Sequence, residues 1–468
     1  MNPLLRTDSY KLSHWSQYPR GTTALHSYIE ARKAPLWASQ ESTVFFGMQA
    51  ILQKLKPFDI HDVEEAEQFA AMHGLPFNSA GWRNMLSKYN GNYPMIVKAA
   101  PEGLVIPTRN ALVTVESTDP EFPWVGSYFE PFFLRVWYPT TVATMSYEAK
   151  RALLVHYERT VDDHGLHDKL KFALHDMGAR GVSSGESAEL GGMAHLVNFA
   201  GSDTIEGIVA ARRFYNTKEM PAFSIPAAEH STITSWGRDR EADAYENMLN
   251  VYGGDGKILA VVSDSYDIIN ATKNIWGADL REKVIASGAT LVIRPDSGDP
   301  EHLLPELLGI LADRFGVKTN TKGYKVLQHV RLIWSDGIDS PRKISAIMFA
   351  VTGAGFSAEN VALGMGGGLL QKINRDTFSF AMKCSAAEIN GSWVDVVKTP
   401  INMPEKRSRG GRQILMTERG KTFTTIKSGD SYPWSNDSFP ALRTVYRNGA
   451  IDRSLTLDQV RQNTKLWS

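Results

Sequence analysis

The chain has 468 residues, long enough for two or three domains, and 43% of them are hydrophobic, enough for a sizeable buried core. Its 51 basic and 51 acidic residues cancel, which argues against a dedicated nucleic-acid or membrane-surface protein, whose footprint is normally basic. The single cysteine, Cys384, excludes an intrachain disulfide framework and cysteine-rich zinc sites and fits a reducing compartment. The N-terminus lacks the apolar core of a signal peptide and no apolar run reaches about 18 residues, so a soluble, cytoplasmic protein is expected.

Residues 1–150 mix turns with short β-like runs, HSYIEAR at 26–32, MIVKAA at 95–100 and ALVTVES at 111–117. The first long helical stripe runs from Ser146 to Thr160, through Ala149, Leu153, Leu154 and Tyr157, and a soft boundary is placed near it. From about residue 170 short apolar runs recur, and each ends in polar residues or glycine. They lie at 171–181, 195–203, 222–231, 257–267, 290–299, 330–339 and 360–368, at the spacing of successive β-α units. Thr204–Tyr215 and Pro305–Arg314 read as amphipathic helices between them. Polar residues at the end of nearly every run favour an α/β barrel over 151–375 rather than an open sheet with one switch point. The stretch 376–468 turns basic, then β-like, and is expected to return to the first domain.

The strand ends supply Asp176, Arg180, Asp203, His230, Asp264, Arg294, Asp296 and Asp336. Alone, Asp203 reads as a helix cap, His230 as a satisfied core histidine, and Arg294 with Asp296 as a turn with an ion pair. On one barrel rim they converge, and a shared chemical role becomes the better reading. Gly364, Gly366, Gly367 and Gly368 form either a tight turn needing positive φ or a backbone cradle for an anion, with Arg375 and Lys383 following as positive charge. The chain holds no HExxH, Walker A sequence or GxSxG elbow. Carboxylates, arginines, one histidine and a glycine loop suit a phosphorylated sugar and a carboxylate-held magnesium ion.

Eight strings in order, TDSYKLSHWSQYP (7–19), the Glu30-Ala31-Arg32 segment, HDMGARGVSS (175–184), HLVNFAGSDT (195–204), PAAEHSTIT (226–234), VSDSYD (262–267), IRPDSG (293–298) and GGGLLQK (366–372), resemble the nicotinamide phosphoribosyltransferase family. The resemblance runs from about residue 7 to about 460. It implies a type II phosphoribosyltransferase fold, an irregular α/β barrel with a second α+β domain built from both chain ends, and a homodimer with shared active sites. The implied reaction joins nicotinamide to 5-phosphoribosyl 1-diphosphate, with magnesium, and with ATP assisting through a phosphohistidine at His230.

By the same resemblance, Arg180, His230 and Arg294 match diphosphate contacts, and Asp203 matches the acceptor of the carboxamide N–H. Arg294, Pro295, Asp296, Ser335 and Asp336 match the surroundings of the nucleotide, with Asp296 and Asp336 as the metal carboxylates. Gly366, Gly367 and Arg375 match contacts of the 5′-phosphate. His175, Met177, Phe223, Ala260 and Asp264 match the ring site and tunnel. Asp8, Tyr10, Arg32, Lys383 and Lys398 match residues contributed by the partner subunit. Met177 stands where the family has a ring-stacking phenylalanine, Ala260 where some members have serine, and Ser335 where glycine precedes Asp336. Nicotinate phosphoribosyltransferase is the enzyme alternative, against which Asp203 argues; a non-catalytic signalling protein on the same fold is the alternative from another class.

Overall fold

The computed structural model describes residues 1–399, 408–430, 435–451 and 455–465. The chain divides into two compact units. One holds Met1–Thr144, Arg212–Thr217 and Asn374–Thr464; the other holds Met145–Ala211, Lys218–Ile373 and the last residues.

The first unit, built from both chain ends, is organised by a six-stranded sheet. Its order is Ser392–Asp395, Ala381–Ile389, Thr22–Glu30, Ala111–Ser117, Met95–Ala99, Arg443–Arg447. All its pairings are antiparallel. The three runs expected from sequence are therefore strands. Two helices, Ile60–Met72 and Ser79–Tyr89, lie where only turns and β-like runs were expected. A reciprocal capping box between Asp59 and Asp62 starts the first of them, and its apolar stripe is little more than Val63, Ala66 and Ala70. Three small side chains give too weak a stripe to stand out in the sequence. Trp82, Phe58, Tyr93 and Phe129 fill the core between such helices and the sheet.

The second unit carries a parallel six-stranded sheet of Leu174–Asp176, Gly201–Ser202, Ile258–Val262, Thr290–Arg294, Val330–Trp334 and Val361–Met365. Gly201–Ser202 stands at one edge and Ile258–Val262 at the other. The expected strand at 222–231 is irregular, and it joins these two edges. Phe223 bridges Gly201, and Ala227 bridges Ala260. The bonds are Phe223 N–H to the Ala200 carbonyl at 2.8 Å, Ser202 N–H to Phe223 at 3.2 Å, Ala228 N–H to Ala260 at 2.9 Å and Ala260 N–H to Pro226 at 2.9 Å. Pro226 has no N–H to give, which stops the segment from forming a continuous ladder. The sheet thus closes into a barrel of six strands and one irregular stave.

Helices alternate with the strands. The expected Ser146–Thr160 helix extends back to Trp137, the expected 305–314 helix spans Pro300–Phe315, and the one after Asp203 spans Ile205–Phe214. Pro139 and Pro300 lie in the first turns of the two longer helices, where the missing N–H is not needed, while Pro305 lies inside the second of them. Gly192 and Gly207 let Gly185–His195 approach Ile205–Phe214 closely: a Cβ on Gly207 would lie 2.5 Å from the Gly192 carbonyl carbon. Gly207→Ala is expected to lower unfolding free energy by ~1–3 kcal/mol through overpacking, measured by denaturant titration.

Candidate active site

A parallel strand delivers the residues just beyond its last ladder bond to one end of the sheet, so every polar strand-end residue reaches the same rim. Met177 and Asp203 each follow a strand by one position, Asp264, Asp296 and Asp336 by two, and Arg294 ends its own. His230 opens the short helix His230–Thr234 just after the irregular stave.

Two groups of side chains form there. In the first, Asp203 accepts a hydrogen bond from the Ser224 hydroxyl. With His175, Met177, Phe223, Ala260 and Arg294 it lines a cavity of ≈ 530 Å³ inside the barrel. Ala260, Val292 and Ile333, with Met177, Ile225 and Ala362 against them, make the apolar belt of that cavity. Burial lowers the His175 imidazole below its ordinary pKa against the opposing pull of Asp203, so His175 is a neutral ring at pH 7.

In the second group Asp264 is the junction. One oxygen meets His230 Nε2 at 3.0 Å; the other accepts from the Asp296 amide at 2.9 Å and the Ser297 hydroxyl at 2.6 Å. Burial alone would raise the Asp264 carboxyl, but these hydrogen bonds outweigh it and hold its pKa below the usual carboxylate value. Behind it, Trp276 donates to Ser263 at 3.1 Å and stacks on Tyr245 at 4.7 Å, bracing the loop. Asp296 accepts from Ser335 at 2.8 Å, while Arg294 Nη2 stands 3.8 Å from its other oxygen. Arg294 Nε is buried with no hydrogen-bond partner. A guanidinium so under-partnered at a cavity mouth is set to take an anion.

The glycine turn resolves the alternatives left by the sequence. None of Gly364, Gly366, Gly367 and Gly368 has positive φ, so left-handed backbone is not what requires them. Close approach is the reason for two of them. A Cβ on Gly364 would lie 2.6 Å from Met177 Sδ, and one on Gly368 2.3 Å from the Ile338 carbonyl. Gly367 faces open space, with its Cα 3.2 Å from where a Cβ on Gly181 would be. The glycine turn and the Arg180 loop therefore lie backbone against backbone. Arg180 and Asp336 are exposed, and Pro295 is buried.

A family model described as Nicotinate phosphoribosyltransferase (NAPRTase) family matches residues 172–450, and one described as Nicotinamide phosphoribosyltransferase, N-terminal domain, matches residues 2–97. The nicotinamide phosphoribosyltransferase of Xanthomonas campestris pv. campestris (strain 8004) is 50% identical over 463 residues, 98% of this chain and 97% of that protein. The chain belongs to the nicotinamide phosphoribosyltransferase family. Another relative, the nicotinamide phosphoribosyltransferase of Mycoplasma pneumoniae, is 32% identical over 87% of this chain and 94% of its own. Among solved structures, nicotinate-nucleotide pyrophosphorylase from Pyrococcus furiosus matches with a TM-score of 0.64 at 14% identity, over 100% of this chain and 96% of that one. Human nicotinic acid phosphoribosyltransferase matches at 0.56 and 15%, over 98% and 93%. At such identities the likeness establishes the fold, that of the type II phosphoribosyltransferases.

The residues that the family resemblance gives to a partner subunit lie in the first unit. Asp8 and Tyr10 are exposed on the 3-10 helix Ser9–Ser16 or at its cap. Burial lowers the Lys383 ammonium, Glu130 opposes, and Arg32, Lys398 and Lys11 add repulsion, so these cations share one patch. Tyr10 feels the same Glu130. Arg32 Nη2 is buried there without a partner. Arg375 also belongs to this unit, bonded to the Phe380 carbonyl at 2.8 Å and paired with Asp376. Among the described residues no three acidic, histidine or cysteine side chains gather as a metal site, and no helix is long and apolar enough to cross a membrane.

Sequence reasoning passed over Ser224, Ser297 and the Trp276–Ser263 support. Their one signal was a hydroxyl beside a strand end, which any turn also shows. It also underrated Asp176, wholly buried, with Oδ1 on the Gly178 amide at 2.8 Å and Oδ2 unpartnered. Burial pushes this carboxyl up to about 6. A carboxyl raised in the folded state stabilises below its unfolded pKa, and that contribution is lost as pH rises through the folded value. Asp176→Asn should therefore gain on the parent by on the order of 2–3 kcal/mol between about pH 4 and 7, read from paired denaturation curves.

Proposed function

We propose that this chain joins nicotinamide to 5-phosphoribosyl 1-diphosphate, giving nicotinamide mononucleotide and diphosphate, in NAD biosynthesis. The observation that carries the reading is Asp203, a carboxylate held by Ser224 at the mouth of an apolar cavity beside Met177 and Phe223. A flat heteroaromatic amide fits it: the ring packs on the thioether and the phenyl face, and the amide N–H donates to the carboxylate. A pyridine carboxylate would be repelled there.

The pyridine nitrogen already has a free lone pair, so the reaction needs no base to activate it. Positioning dominates. Losing diphosphate develops positive charge on the ribose, which Asp296 and Asp336 complement, while Arg294 and Arg180 neutralise the leaving group. Asp296 and Asp336 would hold magnesium. Two carboxylates suit an ion that takes its other oxygens from water and substrate phosphates, and it would supply charge neutralisation of the diphosphate.

His230 is read as the phosphoryl acceptor through which ATP assists. Asp264, kept ionised, accepts from His230 Nε2–H and leaves the lone pair on Nδ1 as the nucleophile. The reading includes a closed homodimer in which Asp8, Tyr10, Arg32, Lys383 and Lys398 complete the partner's site; their gathering around Glu130 in one patch supports it.

The test is product formation from the two substrates, with nicotinic acid as competitor. Wild type should strongly prefer nicotinamide, and Asp203→Asn, whose amide also donates, should narrow the kcat/KM ratio by roughly tenfold. Equal wild-type efficiency on both would refute the reading. His230→Ala should lose the ATP-dependent gain and keep slow ATP-independent synthesis. With γ-labelled ATP, label should appear on wild type and not on the alanine variant.

A further inference from the structure

Two groups on the rim compete for Arg294. One is the diphosphate of the donor; the other is the Asp296 carboxylate, two residues along the same chain. Side-chain exposure is only 15% for Arg294 and 30% for Asp296, so a closed pair between them would be poorly screened and strong. Yet they stand 3.8 Å apart, beyond hydrogen-bond range, and Arg294 Nε is left without any partner. Something keeps the pair open.

Ser335 is placed to do so. The strands Thr290–Arg294 and Val330–Trp334 run parallel with Leu332 opposite Ile293, and the same register carried past the ladder sets Ser335 beside Asp296. Its hydroxyl donates to Asp296 Oδ1 at 2.8 Å. The Asp296 backbone is pinned by its amide on Asp264 at 2.9 Å, so rotation of the carboxylate is the freedom that remains, and the serine removes it. On its other side Ser335 has room because the neighbouring strand carries glycine: a Cβ on Gly364 would lie 2.9 Å from the Ser335 Cβ.

We propose that Ser335 is a positioning residue for the phosphoribosyl donor: by holding one oxygen of Asp296 it keeps that carboxylate off Arg294 and leaves the guanidinium open to the diphosphate. The inference rests on the reaction proposed above for its substrate, but its geometry concerns only an anion at Arg294. Removing the hydroxyl lets Asp296 turn and form the fork-to-fork pair, which the incoming diphosphate must then break.

The experiment compares wild type, Ser335→Ala and Ser335→Thr in two measurements. In steady-state kinetics Ser335→Ala should raise KM for the donor by roughly tenfold, the scale of one hydrogen bond to a charged group, with KM for nicotinamide little changed. Ser335→Thr should restore the donor KM. In calorimetry with inorganic diphosphate as the probe, Ser335→Ala should weaken binding by a similar factor. In an Asp296→Ala background the serine substitution should add nothing, because the competing carboxylate is gone. Unchanged diphosphate affinity in Ser335→Ala, an equal rise in both KM values, or full additivity with Asp296→Ala would overturn the proposal. A wild type that makes no nicotinamide mononucleotide would instead refute the proposed reaction, while the diphosphate measurement would still decide the role of Ser335.

Discussion

The second unit depends on the backbone bonds by which Phe223–Ala228 spans from Gly201 to Ala260. Without that span the parallel sheet would have two open edges, Gly201–Ser202 and Ile258–Val262, each with unpaired amides and carbonyls. With it the sheet becomes a barrel with an interior. The interior then has to be filled, and Ala260, Val292 and Ile333 fill part of it with short or branched side chains. The unfilled part is the cavity behind Met177, Asp203 and Phe223. Because the spanning segment is irregular, Phe223 and Ser224 are free of strand alternation. One residue turns its ring to the cavity and the next its hydroxyl to Asp203.

Charge on the rim is held in place by hydroxyls and amides more than by opposite charge. Asp203 rests on Ser224, Asp264 on Ser297 and the Asp296 amide, and Asp296 on Ser335. Neutral donors orient a carboxylate without neutralising it, so its field remains available to a substrate. Arg294 is the complement of this arrangement, a cation whose nearest carboxylate is occupied elsewhere. The rim thus separates an apolar end with one acceptor from a polar end with an under-partnered guanidinium and a glycine turn.

The same barrel recurs in proteins only 14–15% identical to this chain, so the fold is compatible with widely different linings. Met177 and Ser335 both stand close to Gly364, on opposite neighbouring strands. A flexible thioether accommodates an irregular gap better than a rigid ring, and here its sulfur lies 2.6 Å from where a Cβ on Gly364 would be.

The sequence by itself determined the parallel α/β architecture and the set of strand-end residues. Apolar runs at β-α spacing, each closing on a polar residue, admit few other arrangements, and a parallel sheet sends all those residues to one end. The β-like runs after residue 376 also raised the expectation of a return to the unit formed by the N-terminal residues. Only the tertiary structure decided which groups meet. Ser224 and Asp203 are 21 residues apart, Ser297 and Asp264 33, Ser335 and Asp296 39, and each pair is set by strand neighbours that no local pattern encodes. Likewise, four glycines in five residues announced a special backbone, but a glycine for positive φ and one for close approach are the same letter. The difference lies in the neighbour that touches it: for Gly364 a methionine sulfur from the adjacent strand, for Gly368 a carbonyl from the loop after Asp336.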